Sequence, residues 1–180
     1  MLELYIPKSE RFNDETCEFV IIPETILQLE HSLLSLSKWE SKWHKSFIAS
    51  KDKTPIELLD YVRCMTLNKN VDPVIYLNLT DDAIDKIQKY IEDPMTATTI
   101  NDTRPYKQNK EILTAEVIYY YMIALNIPFE CQKWHLNRLM TLIKVCSIKN
   151  QPDKKMSTRE ILNSNRALNE QRKKMLRTKG

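Results

Sequence analysis

The chain contains a single glycine, and it is the last of the 180 residues, Gly180. Glycine is the residue that adopts positive φ at little cost and lets backbone approach a ligand closely. Phosphate-cradling loops, dinucleotide fingerprints and nucleophile elbows all place glycines at such positions, and none is available inside this sequence. The pattern therefore argues against a nucleotide-dependent enzyme of a familiar kind. What remains is ordinary globular material: 42% apolar and 28% charged residues. A domain of this length buries roughly 70% of its unfolded surface and needs no metal or disulfide staple. The four cysteines, Cys17, Cys64, Cys131 and Cys146, form no CxxC pair and no zinc-finger spacing, and are read as reduced thiols.

The N-terminal stretch MLELYIPKSER lacks the long apolar centre of a secretory signal. The longest apolar run, residues 117 to 125, is nine residues, about half of what a bilayer span needs. A soluble intracellular protein with no membrane contact is expected. The formal charge of +3 hides an asymmetry. Residues 149–180 carry ten Lys or Arg against three Asp or Glu, a balance of +7, whereas residues 1–148 carry 17 against 21, a balance of −4. A basic C-terminal segment can contact nucleic acid, an acidic partner or the acidic body of a neighbouring copy.

Along the chain, Leu2, Leu4 and Ile6 alternate with Glu3 and Tyr5, and residues 17–22 are rich in β-branched and aromatic side chains. A small hairpin is expected, with Pro7 and Asn13-Asp14 in its connection. The alternation from Leu27 to Leu33 adds a third strand, with a helix beginning near Glu24 as its competitor. Helix starts are then marked by capping boxes at Ser37 and Glu40, Thr54 and Glu57, and Ser157 and Glu160. Pro55 and Pro73 stand at first helical positions, and Asp81 and Asp82 follow Thr80 at the positive end of a helix dipole. The expected helices are 38–48, 55–67, a short one at 73–78, and 81–92, ended by Asp93-Pro94. Residues 95–109 read as an extended connection, the most mobile in the body. Two apolar helices follow, 111–125 and 129–147, expected as an antiparallel pair at the centre of the fold, the first apolar nearly all round in its second half. The fold class is thus mainly α with a small N-terminal β-hairpin or three-stranded sheet (α+β). The domains are a globular body, 1–150, and a basic amphipathic helical segment, 151–180, extending from it.

Candidate chemistry is sparse. Cys131 and His135 are four apart, as two ligands on one helical face would be, but no third ligand accompanies them. Cys64 with His44 or His135 would make a nucleophile and base only by coincidence of composition. Asp81, Asp82 and Asp85 are explained by their place at a helix start. No catalytic residue, metal or cofactor is expected. Two features suggest binding to other proteins. Trp39, Trp43 and Phe47 recur every four residues, a spacing shared by core stripes and aromatic interface anchors. In residues 157–176, Ile161, Leu168 and Met175 recur every seven, with Leu162 and Leu176 beside them, a narrow seam more like a partner-facing stripe than a core face. Such a helix is marginal alone in water. The segment has no aromatic residue, so it lacks the stacking platforms of single-strand binders, and nucleic acid is the less favoured partner.

Several stretches resemble the tail assembly chaperones encoded in the tail-gene region of long-tailed bacteriophages. They are HSLLSLSKWESKW at 31–43, NVDPVIYLNLT at 70–80, EDPMTATT at 92–99, EILTAEVIYYYMIALNIPFECQKWHLNRLMTLIKVC at 111–146, and the basic KKMSTRE from Lys154. The resemblance implies a non-enzymatic protein of the host cytoplasm during virion assembly. Such proteins coat the long, aggregation-prone tape-measure protein, keep it soluble, help bring tail-tube subunits to it, self-associate, and are then discarded. They are often made in a short and a frameshifted longer form, and the ending RTKG is compatible with a slippery Lys-Gly codon run. Partner-binding surfaces are expected at Trp39, Trp43 and Phe47 and at Ile161, Leu168 and Met175. The alternatives are a structural virion protein, such as a head–tail connector or neck component, and a small nucleic-acid-binding protein acting through its basic segment.

Overall fold

The computed structural model describes residues 1–13, 17–100, 112–150 and 158–176. It divides into two compact units, residues 1–147 and 148–180. Its class is mainly α with a small antiparallel β portion at the N-terminus.

Four strands open the first unit: β1 (Leu2–Ile6), β2 (Ser9–Asn13), β3 (Glu18–Ile22) and β4 (Thr25–Leu29). β1 pairs with β4, and β2 with β3, both antiparallel. Leu2 faces Leu29 and Asn13 faces Glu18, so one register runs through both ladders. The element is a single long ribbon whose ladder is interrupted at Pro7 and Pro23, which have no N–H to contribute. The expected hairpin between the first strand and residues 17–22 is corrected accordingly. Residues 9–13, expected in the connection, form a strand of their own, and the strand expected from Leu27 is instead β4, which closes the ribbon. Leu4, Ile6, Leu27 and Leu29 lie on the buried face.

β4 would leave an unpaired outer edge, and the residues after the second helix cover it. Glu30 donates its N–H to the Met65 carbonyl (2.9 Å), and Leu67 donates to the Gln28 carbonyl (2.8 Å). The Asn68 amide accepts from the Gln28 N–H (2.7 Å) and donates to the Ile26 carbonyl (3.1 Å), completing the edge with a side chain.

The first helix, α1, runs Leu33–Trp43 rather than 38–48. Ser32 is its N-cap and Ser35 closes the capping box, so a Ser–Ser pair takes the place of the expected Ser37 and Glu40. Glu40 is drawn inward to another use. α2 (Pro55–Met65) begins at its expected box, Thr54 with Glu57, and α3 (Asp81–Glu92) follows Thr80 as its sequence indicates. Between them Pro73–Asn78 is a 3-10 helix. α4 spans Ala115–Ala124, capped by Thr114, so residues 112–114 are not helical as expected.

The single helix expected over 129–147 is two elements: a 3-10 helix, Phe129–Lys133, and α5, Leu136–Lys149. The break has a clear cause. His135 makes a bridge with Ser32, and the Leu136 N–H donates to the His31 carbonyl (2.7 Å), which pulls Trp134 into extended backbone. α1 packs against α2, α4 and the Phe129–Lys133 turn, and α3 against β1, while the expected α4–α5 pair is not among the closely packed elements. Leu33, Leu36, Trp39, Tyr61, Met65, Ile118, Met122 and Leu139 fill the interior. The second unit contains α6, Thr158–Leu176; its expected cap, Ser157, lies outside the described residues, as does the 101–109 part of the expected connection.

Candidate functional site

Trp39 and Trp43 lie on α1, but the helix ends between Trp43 and Phe47. His44 takes a left-handed conformation (φ 52°, ψ 34°) and its N–H donates to the Glu40 carbonyl. Phe47 therefore returns over Trp39 and Tyr61 from a turn rather than from the same helical face. Its ring stacks on Tyr61 (centroids 3.7 Å) and meets Trp39 edge-on (5.0 Å). Trp39 is fully enclosed, with its indole N–H donated to the Glu57 carbonyl (2.8 Å). Trp43 and Phe47 are half-buried, and the Trp43 indole N–H donates to Asp60 Oδ2 (2.9 Å). In this fold Trp39 serves the core, and only the edges of Trp43 and Phe47 reach the surface.

A belt of paired charges surrounds these rings. Lys42 pairs with Asp60 and Lys45 with Glu57, both at 2.5 Å, and Lys53 lies over the Phe47 ring. Burial pushes the Asp60 carboxyl up, but hydrogen bonds from Lys42 and Trp43 outweigh it and hold the group below the usual range. Glu57 is likewise held down, chiefly by its hydrogen bond from Lys45. Glu40 is buried, which pushes its carboxyl up, and it accepts backbone N–H bonds from Phe47 (2.9 Å) and Ala115 (2.7 Å). One carboxylate thus ties the turn after α1 to the start of α4, where a negative group is favoured.

The remaining candidate chemistry is absorbed by structure. Cys131 and His135 do not share a helical face, since Trp134 between them is extended. His135 accepts the Asn137 N–H at Nδ1 (3.3 Å), which leaves Nε2 to donate to the Tyr90 carbonyl (3.0 Å). His31 meets the Tyr61 hydroxyl through Nδ1 (2.6 Å), and the two imidazoles contact edge to face at 5.1 Å. Burial, aided by His135, lowers the His31 pKa to about 3. Burial also pushes the Cys64 and Cys131 thiols up, away from thiolate chemistry. Asp81 and Asp82 occupy the first turn of α3, Asp82 pairs with Lys86 (2.6 Å), and Asp85 is exposed on the next turn. Among the described residues, no three His, Cys, Asp or Glu side chains gather in a way that would hold a metal, and no helix is long and apolar enough to cross a membrane.

α6 exposes its apolar side chains: Leu162, Leu168, Met175 and Leu176, with Met175 81% accessible. The side chain of Ile161, the third member of the expected seam, lies outside the described residues. The body carries exposed apolar surface that sequence reasoning missed. Tyr120 and Ile123 stand out from α4, and Phe12, Phe19 and Ile21 from one face of the β2–β3 ribbon, where Phe12 and Phe19 pair edge to face at 5.2 Å. The signal for the first is present in the nearly all-apolar second half of α4, but that pattern reads as burial on every side; in fact one side faces the core through Ala115, Ile118 and Met122. For the second only half the signal is present: residues 17–22 read as a strand, but residues 9–13, which pair with it and carry Phe12, do not.

No protein-family model matches this sequence, and no curated protein or solved structure matches it well enough to carry an argument.

Proposed function

We propose that this chain is a non-enzymatic tail assembly chaperone of a long-tailed bacteriophage, acting in the host cytoplasm. It binds the tape-measure protein, keeps it soluble and assists the assembly of tail-tube subunits around it. The sequence resemblance across most of the chain from His31 onward motivates the reading. The observation that carries it is the row of exposed apolar side chains on a basic helix, Leu162, Leu168, Met175 and Leu176. Large apolar side chains held in water along one helix favour protein contact, because covering them releases the cost of hydrating them. The half-buried edges of Trp43 and Phe47 are the second surface proposed for a partner.

The test is the composition of purified particles against that of the infected-cell lysate. A chaperone is abundant in the lysate and absent from finished virions. Stoichiometric retention in the particle would instead mark a structural virion protein, such as a connector or neck component.

A further inference from the structure

The face of α6 that bears its apolar residues has an internal symmetry. It is made of positions 161, 162, 165, 168, 169, 172, 175 and 176, which at 100° per residue fall within one side of the helix. Reversing the direction of the helix about the point between Leu168 and Asn169 maps this set onto itself. Leu162 falls on Met175, Asn165 on Arg172, and Leu168 on Asn169, while the apolar doublets at the two ends exchange places. A face that matches its own reverse fits a two-fold interface, in which the same patch is used by both partners.

We propose that α6 pairs antiparallel with α6 of a second copy of this chain, about a two-fold axis between Leu168 and Asn169. Charge selects this orientation over the parallel one. A parallel pair would set Arg172 against Arg172 in the middle of the seam, and the run Arg172, Lys173, Lys174 beside its own copy. Like charges so placed repel. The antiparallel pair moves each basic run to the opposite end, beside residues 162–165 of the other helix, which carry no charge. Arg172 then meets Asn165, whose amide oxygen accepts from the guanidinium. Both side chains are exposed, as are Leu162, Leu168, Met175 and Leu176, so these described members of the face stand in water. A helix of this kind is marginal alone and gains its stability from the partner that covers the stripe. The pairing is argued from α6 alone, but it covers the same face that the chaperone reading offers to its client, so a second copy and the client compete for it.

Sedimentation velocity of the full chain under reducing conditions, over a wide concentration range, tests it. The expected result is a reversible monomer–dimer equilibrium. Asn165→Arg places an arginine opposite Arg172 twice in the dimer and weakens it by roughly two- to fivefold. Adding Arg172→Glu in the same chain restores the antiparallel dimer, because each introduced arginine then faces a glutamate, whereas a parallel dimer would suffer both like-charge contacts. Both positions are exposed and spare the packed interior. A chain that is monomeric at every concentration, a dimer indifferent to Asn165→Arg, or a double variant no tighter than Asn165→Arg would each overturn the proposal.

Discussion

A chain with no internal glycine still has to turn, and it does so with residues that meet steric resistance. Cys17, His44, Asn70, Met95 and Asn126 all take positive φ, between 49° and 56°. Asn tolerates this region through its short polar side chain, while His and Met do so at a cost of roughly 1–2 kcal/mol. The sequence shows that glycine is missing but not where the left-handed turns fall; the one at His44 is set by how α1 must stop for Phe47 to stack on Tyr61. His44→Gly should therefore stabilise the protein by about 0.5–1 kcal/mol, after allowing for glycine's greater freedom in the unfolded chain. The measurement is the urea midpoint; an unchanged or lower value would contradict the strain. The buried imidazoles make a second prediction at this scale. His31 is neutral in the fold down to about pH 3, whereas the unfolded chain binds its proton near 6.5. The unfolded state therefore holds more protons between these values, and stability is full above about pH 6.5 and falls as pH drops toward 3. The groups facing His31 are the Tyr61 hydroxyl from α2 and His135, itself pushed down by burial, while the nearby Glu30 carboxylate is taken by the Met1 amine and the Tyr90 hydroxyl. Asp60 and Glu57 act lower: their carboxyls are held below the ordinary 3.8 and 4.5, so their contribution is lost as pH falls through the folded values. Urea unfolding across pH 4 to 7 should show the histidine limb, and His31→Asn, which keeps an acceptor near Tyr61, should flatten it between about pH 6.5 and 4.5. An equal slope in the variant would remove His31 from the account.

At the level of elements, legibility follows how local the determining chemistry is. α2 and α3 are legible because Thr54, Glu57, Pro55, Thr80 and Asp81 carry their caps within a few residues. α1 is shifted from its expected place because Ser37 and Glu40 also satisfy the capping pattern, and only the tertiary use of Glu40, holding Phe47 and Ala115, decides against them. The break between the 3-10 turn at Phe129 and α5 is invisible in the sequence for the same reason: its cause is the bridge from Ser32 to His135, about a hundred residues away in sequence. The ribbon's pairing is likewise nonlocal, and Pro7 and Pro23 suggest loop where the register in fact continues. The cover over β4 is a testable instance of such long-range chemistry. Asn68→Ala removes the acceptor for the Gln28 N–H and the donor to the Ile26 carbonyl, and should cost about 1–2 kcal/mol. It should also raise aggregation on mild heating, because it uncovers a strand edge. A variant with the parent's urea midpoint and light scattering would show that the edge needs no such cover.

On the scale of the whole molecule, the two halves of the charge pattern correspond to different kinds of surface. The body, residues 1–148 with a balance of −4, encloses Trp39 and Tyr61 and ties its rings down with paired lysines and carboxylates. The basic segment holds α6, whose apolar residues are exposed and whose sequence is legible as a partner-facing stripe because its seven-residue spacing is entirely local. The aromatic trio is less legible, since the same spacing serves a core or an interface, and only tertiary packing assigns Trp39 to the core. A protein of this construction is suited to covering another protein's apolar surface, which is what the proposed chaperone role requires. The most direct test of that proposed role is co-expression with the tape-measure protein it would serve, scoring the solubility of that client and its co-purification with this chain. A chaperone forms a soluble complex with the client that is lost when Leu162, Leu168 and Met175 are changed together to Ser. An insoluble client beside a chain that purifies alone would contradict it.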